Sequence, residues 1–318
     1  MLIVQKFGGS SLAGAERLRR AASIIADSAD AGNKVVAVVS ARGDTTDELL
    51  GQARRISADP PVRELDALLS CGETGSAAMT AMQLADIGKR CVSLTGAQAG
   101  ILTDSVHGAA RILSIDTARI MRELDAGKIV VAAGFQGAER GGDTTTLGRG
   151  GSDTTAVELA AALKADRCEI YSDVDGIYTA DPRLVTGAVR LDSIDYGDML
   201  HLALHGSQVL HSRSVEAAMR ANVRVHLLSS FTRHEGTVMC KLDDRPGLCG
   251  VTRDSSLGTV SIIGREADAH VLAEAVAALA HSDIIVTRTE LFDGGCSLFV
   301  SPDRLLPALE ITHRRFFR

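Results

Sequence analysis

The sequence predicts an α/β doubly wound sandwich followed by a small ferredoxin-like module, and three observations carry that expectation. Short β-branched runs, apolar along nearly their whole length, alternate with Ala-rich amphipathic stretches over most of the chain. Such runs are the mark of parallel strands buried on both faces beneath helices. Hydrophobic residues make up 45% of the 318 residues but aromatics only 3%, with no Trp, so the core must be built from Ala, Val, Leu and Ile, as such a sheet allows. After the polar, proline-bearing "KLDDRPG" (241–247) the pattern changes to short strands interrupted by two helices.

The elements follow in order. "LIVQKF" (2–7) is a strand and 14–31 a helix; "KVVAVVS" (34–40) a strand and 62–88 a helix; "CVSLTG" (91–96) a strand and 116–126 a helix. "KIVVAAGFQG" (128–137), a helix over 152–165, "CEIYSDV" (168–174) and "VRVHLLSS" (223–230) complete the large unit. "GTVSIIG" (258–264), a helix over 267–281, "DIIVTRTEL" (283–291), "GCSLFVS" (295–301) and a helix over 303–317 give β-α-β-β-α, a ferredoxin-like order that stops before its usual last strand. A length above roughly 250 to 300 residues favours two domains: 1–241, a linker at 242–247, and 248–318.

A net charge of −6 and a pI near 5.9 give no electrostatic reason to expect nucleic acid or an anionic membrane. No window reaches the ~18 apolar residues of a membrane helix, and "MLIVQKFGG" lacks the basic-then-apolar pattern of a secretory signal. The six cysteines are scattered, without a CxxC pair or a zinc-type ligand set. They read as free thiols of a reducing, cytoplasmic compartment.

In a doubly wound sheet ligands belong at the carboxyl ends of the strands, and there the unusual residues collect. "KFGGSS" (6–11) sets a lysine at a strand end before two glycines, with Ser10 or Ser11 placed to cap the next helix. It has neither P-loop nor GxGxxG spacing. "GRGGSD" (148–153) repeats the arrangement: Arg149 offers a planar fork, and Gly150, Gly151 and Ser152 offer amides and a hydroxyl. "SDVDGIYTADPR" (172–183) supplies an aromatic and a guanidinium suited to a nucleotide, and "LLSCGETGS" (68–76) reads as a glycine loop carrying Glu73 ahead of another helix. Each taken alone is also an ordinary turn.

Together with "VQKFGGSS", "GDTTDELL", "SLTGAQAGILTD", "GFQG", "RSVEAA" and "SSF", these stretches make the chain resemble the aspartate kinases of the amino-acid-kinase superfamily over residues 2–238. Residues 248–318 resemble a single, shortened ACT regulatory unit. The resemblance implies a three-layer αβα sandwich of the amino-acid-kinase fold plus an ACT domain, with ATP and Mg2+ as cofactors. ATP would lie over Lys6, Gly8, Gly9, Ser10, Ser172, Asp173, Tyr178, Asp181 and Arg183. L-aspartate would be held by Ser40, Thr45, Glu73, Arg149, Gly150, Gly151 and Ser152, while Lys6, Asp153 and Gln208 would serve the transfer itself. Asp153 would accept hydrogen bonds from Lys6 and neighbouring amides and so orient the donors. A homodimer or higher homo-oligomer is expected.

Two departures stand out. Gln208 in "LHGSQVLHSRSVE" occupies a position where relatives carry a phosphate-side lysine, which implies slower transfer or a tolerated change at a helix start. "GREADAH" (264–270) replaces the Asp-x-Pro-Gly turn of the usual effector site, which implies weak or absent lysine or threonine feedback. A kinase for another amino-acid carboxylate and a catalytically weakened regulatory or binding subunit remain as alternatives.

Overall fold

The computed structural model describes residues 1–232 and 234–317; Arg233, and Arg318 at the end of the expected last domain, lie outside the described residues. In chain order the elements are β1 (Leu2–Phe7), α1 (Gly9–Leu12), α2 (Gly14–Asp30), β2 (Lys34–Val39), α3 (Thr45–Ile56), α4 (Val62–Asp86), β3 (Cys91–Leu94), β4 (Ile101–Thr103) and β5 (Ile112–Ile115). Then come α5 (Ala118–Asp125), β6 (Ile129–Ala133), β7 (Gln136–Ala138), β8 (Thr144–Thr146), α6 (Gly151–Leu163), β9 (Arg167–Ser172), β10 (Ser193–Ile194), α7 (Tyr196–Leu204) and α8 (Ser212–Ala221). The chain closes with β11 (Val225–Ser229), β12 (Thr237–Met239), β13 (Gly250–Asp254), β14 (Thr259–Ile263), α9 (Ala269–Ala280), β15 (Arg288–Phe292), β16 (Gly295–Phe299) and α10 (Leu305–Phe316).

By contacts the chain divides into two compact units, Met1–Asp175 with Arg220–Glu235, and Gly176–Met219 with Gly236–Arg318. This division cuts elsewhere than at 242–247, and the sequence-based boundaries stay a proposal about modules.

In the first unit six parallel strands run in the order β11-β9-β1-β2-β6-β3. One face carries Phe7, Val35, Ala37, Val39 and Val131 and is covered by Leu18, Ala22 and Ile25 of α2 and by Ala77 and Leu84 of α4. The apolar residues of α2 recur three or four positions apart, which builds the stripe that meets the sheet. α6 lies over β1, β2 and β9 on the other face. The chain goes from β1 to β2 on one side and reaches β9 on the other, so the loops after β1 and β9 diverge and open a crevice at the switch point. A second small sheet, β5-β4-β7-β8, was not expected. Its strands β4, β7 and β8 are three residues each and partly built of Thr, too short to give a period.

In the second unit β13-β14-β16-β15 form an antiparallel sheet, and Val260, Ile262, Cys296 and Leu298 pack with Leu279 of α9 and Leu309 of α10. The order is therefore β-β-α-β-β-α. The expected five-element order missed β13, whose apolar run is brief and ends in the half-buried Arg253 and Asp254. The strand expected from 283 begins at Arg288, because Asp283 takes a left-handed φ of 55° and Ile284 N donates back to Leu279 O at 3.1 Å, closing the helix end.

The "KLDDRPG" stretch has no regular structure but is tied down. Leu242 N donates to Asp195 Oδ2 at 3.1 Å, and Arg245 Nε donates to Asp198 Oδ2 at 3.2 Å.

Candidate active site

Lys6 points to the α6 side of the sheet, 8% exposed, with its Nζ 2.6 Å from Asp153 Oδ1. The approach is close but off the hydrogen-bonding axis, since Oδ1 is buried without an aligned donor among the described residues. The expected pairing with Lys6 is present, whereas no neighbouring amide meets that oxygen. The contact is thus a charge pairing and not a hydrogen-bonded cradle.

At the end of β1, Gly8 N donates to Tyr171 O at 3.2 Å, and Gly43 N donates to Gly9 O at 3.0 Å. A Cβ on Gly9 would lie 2.7 Å from Ala41 O, so only glycine lets the loops after β1 and β2 touch. The expected serine cap is not made: α1 is a four-residue turn without a side-chain cap, half-buried Ser10 caps nothing, and Ser11 Oγ bonds Ser230 Oγ at 2.8 Å. Ala13 is extended and breaks α1 from α2. So short a helix adds little dipole, which falls off within its first turn.

The second junction is built differently. Gly148 and Gly150 have φ of 76° and 71°, a left-handed pair that turns the chain into the 13-residue α6. Ser152 is buried, and a Cβ on Gly134 would lie 2.8 Å from the Ser152 Cβ. Arg149 stands exposed. Phe135, unmarked by the sequence reading, follows β6 with φ 66°, its N–H donating to Thr155 Oγ1 at 3.1 Å and its carbonyl accepting from Leu147 N at 2.8 Å. A non-glycine residue held there stores strain of about 1 kcal/mol or more, as site residues often do. Its place at a strand's carboxyl end was the available signal.

Glu73 corrects the expected glycine loop. It lies in the middle of the 25-residue α4, 3% exposed. Gly72 is there because a Cβ would meet the Ala41 Cβ at 2.9 Å. Ala41 N donates to Glu73 Oε1 at 3.1 Å, while Oε2 is buried with no hydrogen-bond partner among the described residues. Burial pushes the Glu73 carboxyl up to about 7, with the Ala41 amide opposing it. Ser40 N donates to Phe7 O at 3.1 Å, and Thr45, at the start of α3, donates its hydroxyl to Arg42 O at 2.7 Å. Ser40, Thr45 and Glu73 therefore gather around the end of β2.

Ser172 ends β9, its carbonyl accepting from Ser230 N at 2.9 Å, and Asp173 beyond it is exposed. Tyr178, Asp181, Arg183 and Gln208 belong to the second unit. There Asp181 accepts from Arg183 N at 3.0 Å and Nη2 at 2.8 Å, which holds its carboxyl below the usual range. The Arg183 fork onto Asp181 is made by Nε, at 3.0 Å from Oδ1, and by Nη2. Tyr178 bridges Arg190 in antiparallel fashion. Gln208 is exposed in the turn between α7 and α8, four positions before α8 begins, so it is not on a helix start.

The sequence profile of the amino acid kinase family matches residues 1–229. The chain is 48% identical over 289 residues to an aspartokinase of Mycolicibacterium smegmatis, covering 89% of this chain and 69% of that one. It is 49% identical over 289 residues to an aspartokinase of Corynebacterium glutamicum, with the same coverage. Among solved structures, aspartate kinase from Synechocystis has a TM-score of 0.69 at 37% identity, covering 99% of this chain and 55% of its own. E. coli aspartokinase III in complex with aspartate and ADP has a TM-score of 0.72 at 26% identity, covering 95% of this chain and 79% of its own. The chain belongs to the amino acid kinase family and, within it, to the aspartokinases.

Proposed function

We propose that the chain transfers the γ-phosphoryl group of ATP to the β-carboxylate of L-aspartate, giving 4-phospho-L-aspartate and ADP. The observation that carries this reading is the buried Lys6, held 2.6 Å from Asp153 between the two glycine junctions. A carboxylate oxygen bonds to the γ-phosphorus as the bond from that phosphorus to the bridging oxygen breaks, and no proton moves. No base is needed, because the nucleophile is already ionised near pH 7. The work is to bring two anions together and balance charge on the moving group.

Lys6 and the Gly8 and Gly9 amides meet the phosphates, with Ser10, Ser172 and Asp173 beside them. Tyr178, Asp181 and Arg183 meet the nucleoside and its phosphates. Ser40, Thr45 and Glu73 receive the amino-acid head, Glu73 facing its ammonium, and Arg149 forks onto its carboxylate with the Gly150, Gly151 and Ser152 backbone. Asp173, exposed at a strand end, would be the carboxylate available to a Mg2+ ion, which when bound would supply positive charge to the phosphates.

Feedback by lysine or threonine is weak or absent on this reading. In "GREADAH", Asp268 is already engaged in capping α9, accepting from His270 N at 2.8 Å and Val271 N at 3.1 Å. Homo-oligomers would form through the C-terminal sheet, where β15 is an exposed edge strand. The compartment is the cytoplasm on this reading; all six cysteines are free, and no helix among the described residues is long and apolar enough to cross a membrane.

Hydroxylamine trapping of acyl phosphate with ATP, Mg2+ and a panel of acidic amino acids tests the proposal. Product with L-aspartate is expected. Product only with another acid would move the substrate, and no product with any acid would leave a binding or regulatory role.

A further inference from the structure

Asp66 lies on α4, 1% exposed, and no reading of the sequence singled it out. Gly108 N donates to both of its oxygens, at 3.1 and 3.0 Å, Thr146 N donates to Oδ2 at 3.0 Å, and His107 Nδ1 lies 2.9 Å from Oδ2. The Thr146 hydroxyl donates to Oδ1. Thr146 is the last residue of β8, directly before Leu147, Gly148 and Arg149. A Cβ on Gly148 would lie 2.9 Å from Gly108 O, so the second segment held by Asp66 also backs the Arg149 loop. One buried carboxylate thus holds both segments that frame the loop. Its charge is spread over several donors, the arrangement in which a buried polar network becomes rigid.

Asp66 and Glu73 share α4, seven residues apart, which is two turns along one side and roughly 10 Å of axis. We propose that Asp66 is a specificity-determining positioning residue. By fastening the 147–151 loop to the helix that carries Glu73, it fixes the span between the Arg149 fork and the Glu73 carboxylate. The amino-acid head is then held at two points of set separation, and only a side chain of one length brings its distal carboxylate to the phosphoryl group. The inference rests on the function proposed above, in which Arg149 and Glu73 hold the two charges of that head. It needs no contact between Asp66 and substrate.

The test uses the full chain with Asp66→Asn, which keeps the shape but replaces one acceptor oxygen by an amide NH2, a donor. KM for L-aspartate should rise about tenfold or more while KM for ATP stays within about twofold. The preference for L-aspartate over L-glutamate in kcat/KM should fall about tenfold, the scale that one methylene commands. Thr146→Ser, which keeps both donors, should behave as the parent, and Thr146→Val, which loses the hydroxyl alone, should fall between. Hydrogen exchange should quicken at 105–110 and 146–150 in Asp66→Asn and stay unchanged at 156–163.

Equal rises in both KM values, or an unchanged preference between the two acids, would overturn the proposal. If the parent chain turns over a different acid, the same ratios are read with that acid. If it turns over none, the functional reading has failed, and the exchange measurement decides the clamp: unchanged exchange at both segments overturns it.

Discussion

The two glycine junctions look alike in sequence, "KFGGSS" and "GRGGSD", yet they are held by opposite means. After β1 the glycines are needed for room: Gly9 has an ordinary backbone but sits against Ala41 O, and the helix behind it is a single turn. Before α6 the glycines are needed for conformation: Gly148 and Gly150 are left-handed, and a full helix follows. The first junction is fixed by what presses on it, the second by its own dihedral angles. Lys6 joins them, rising from the first to reach Asp153 in the second.

The largest expected effect comes from cutting that join. Lys6→Met should lower kcat by about 10² to 10³, the scale of removing one preorganised charge partner of a transition state, with KM for aspartate changed far less. Steady-state kinetics of acyl-phosphate formation check it, and equal damage to both parameters would place Lys6 outside the transfer step.

Next is the carboxylate behind the first junction. Glu73 is neutral more readily in the folded chain than in the unfolded one, its carboxyl pushed up to about 7 by burial. The sign follows: its contribution to stability is fully present below the ordinary carboxylate range and is lost as pH rises through about 7. The span corresponds to about 3 kcal/mol. Melting temperature should therefore fall between pH 5 and pH 8, and Glu73→Gln should flatten that slope. In the other direction, binding an ammonium needs Glu73 ionised, so KM for aspartate should climb as pH drops below about 7. A pH-independent KM would detach Glu73 from the substrate.

Substituting the glycines themselves tells the junctions apart. Gly9→Ala must move backbone, at a cost of about 1 to 3 kcal/mol, and should also disturb the Ala41 loop. Gly150→Ala places an L side chain in left-handed space, costing about 1 to 2 kcal/mol, and its effect should stay within the loop before α6. Denaturant melts give the sizes, and hydrogen exchange at 40–45 gives the contrast. The smallest effect is expected at Gln208, exposed in the second unit. Gln208→Lys should raise kcat by less than about tenfold, and an unchanged or lowered kcat would overturn the reading of Gln208 as a lost phosphate-side charge.

The parallel sheet was legible because β2 and β6 are apolar on both faces along nearly their whole length, and β1 is so apart from Gln5 and Lys6. Their carboxyl-end loops were legible because glycine, serine and charge fall where apolar residues stop. Glu73 was placed in a loop because glycines flank it, and the reason for Gly72, the close Ala41 Cβ, lies outside its own segment. Ser11 likewise looked like a cap, while its partner Ser230 is 219 positions away. Asp66 had no local sign at all: its partners lie 41 to 80 positions on, in the loop between β4 and β5 and at the end of β8, a strand too short to show a period.

The clamp on "KLDDRPG" bears on how this chain can be dissected. Asp198 is fully buried and its cationic partner is Arg245, which lies beyond 241, the boundary expected from the sequence. A chain cut after 241 would leave that carboxylate buried and unneutralised, a loss of several kcal/mol. Asp198 and Arg245 belong to the same compact unit, so the residues that look like a spacer are a counterion inside it, and any shortened chain that keeps Asp198 would have to carry them along.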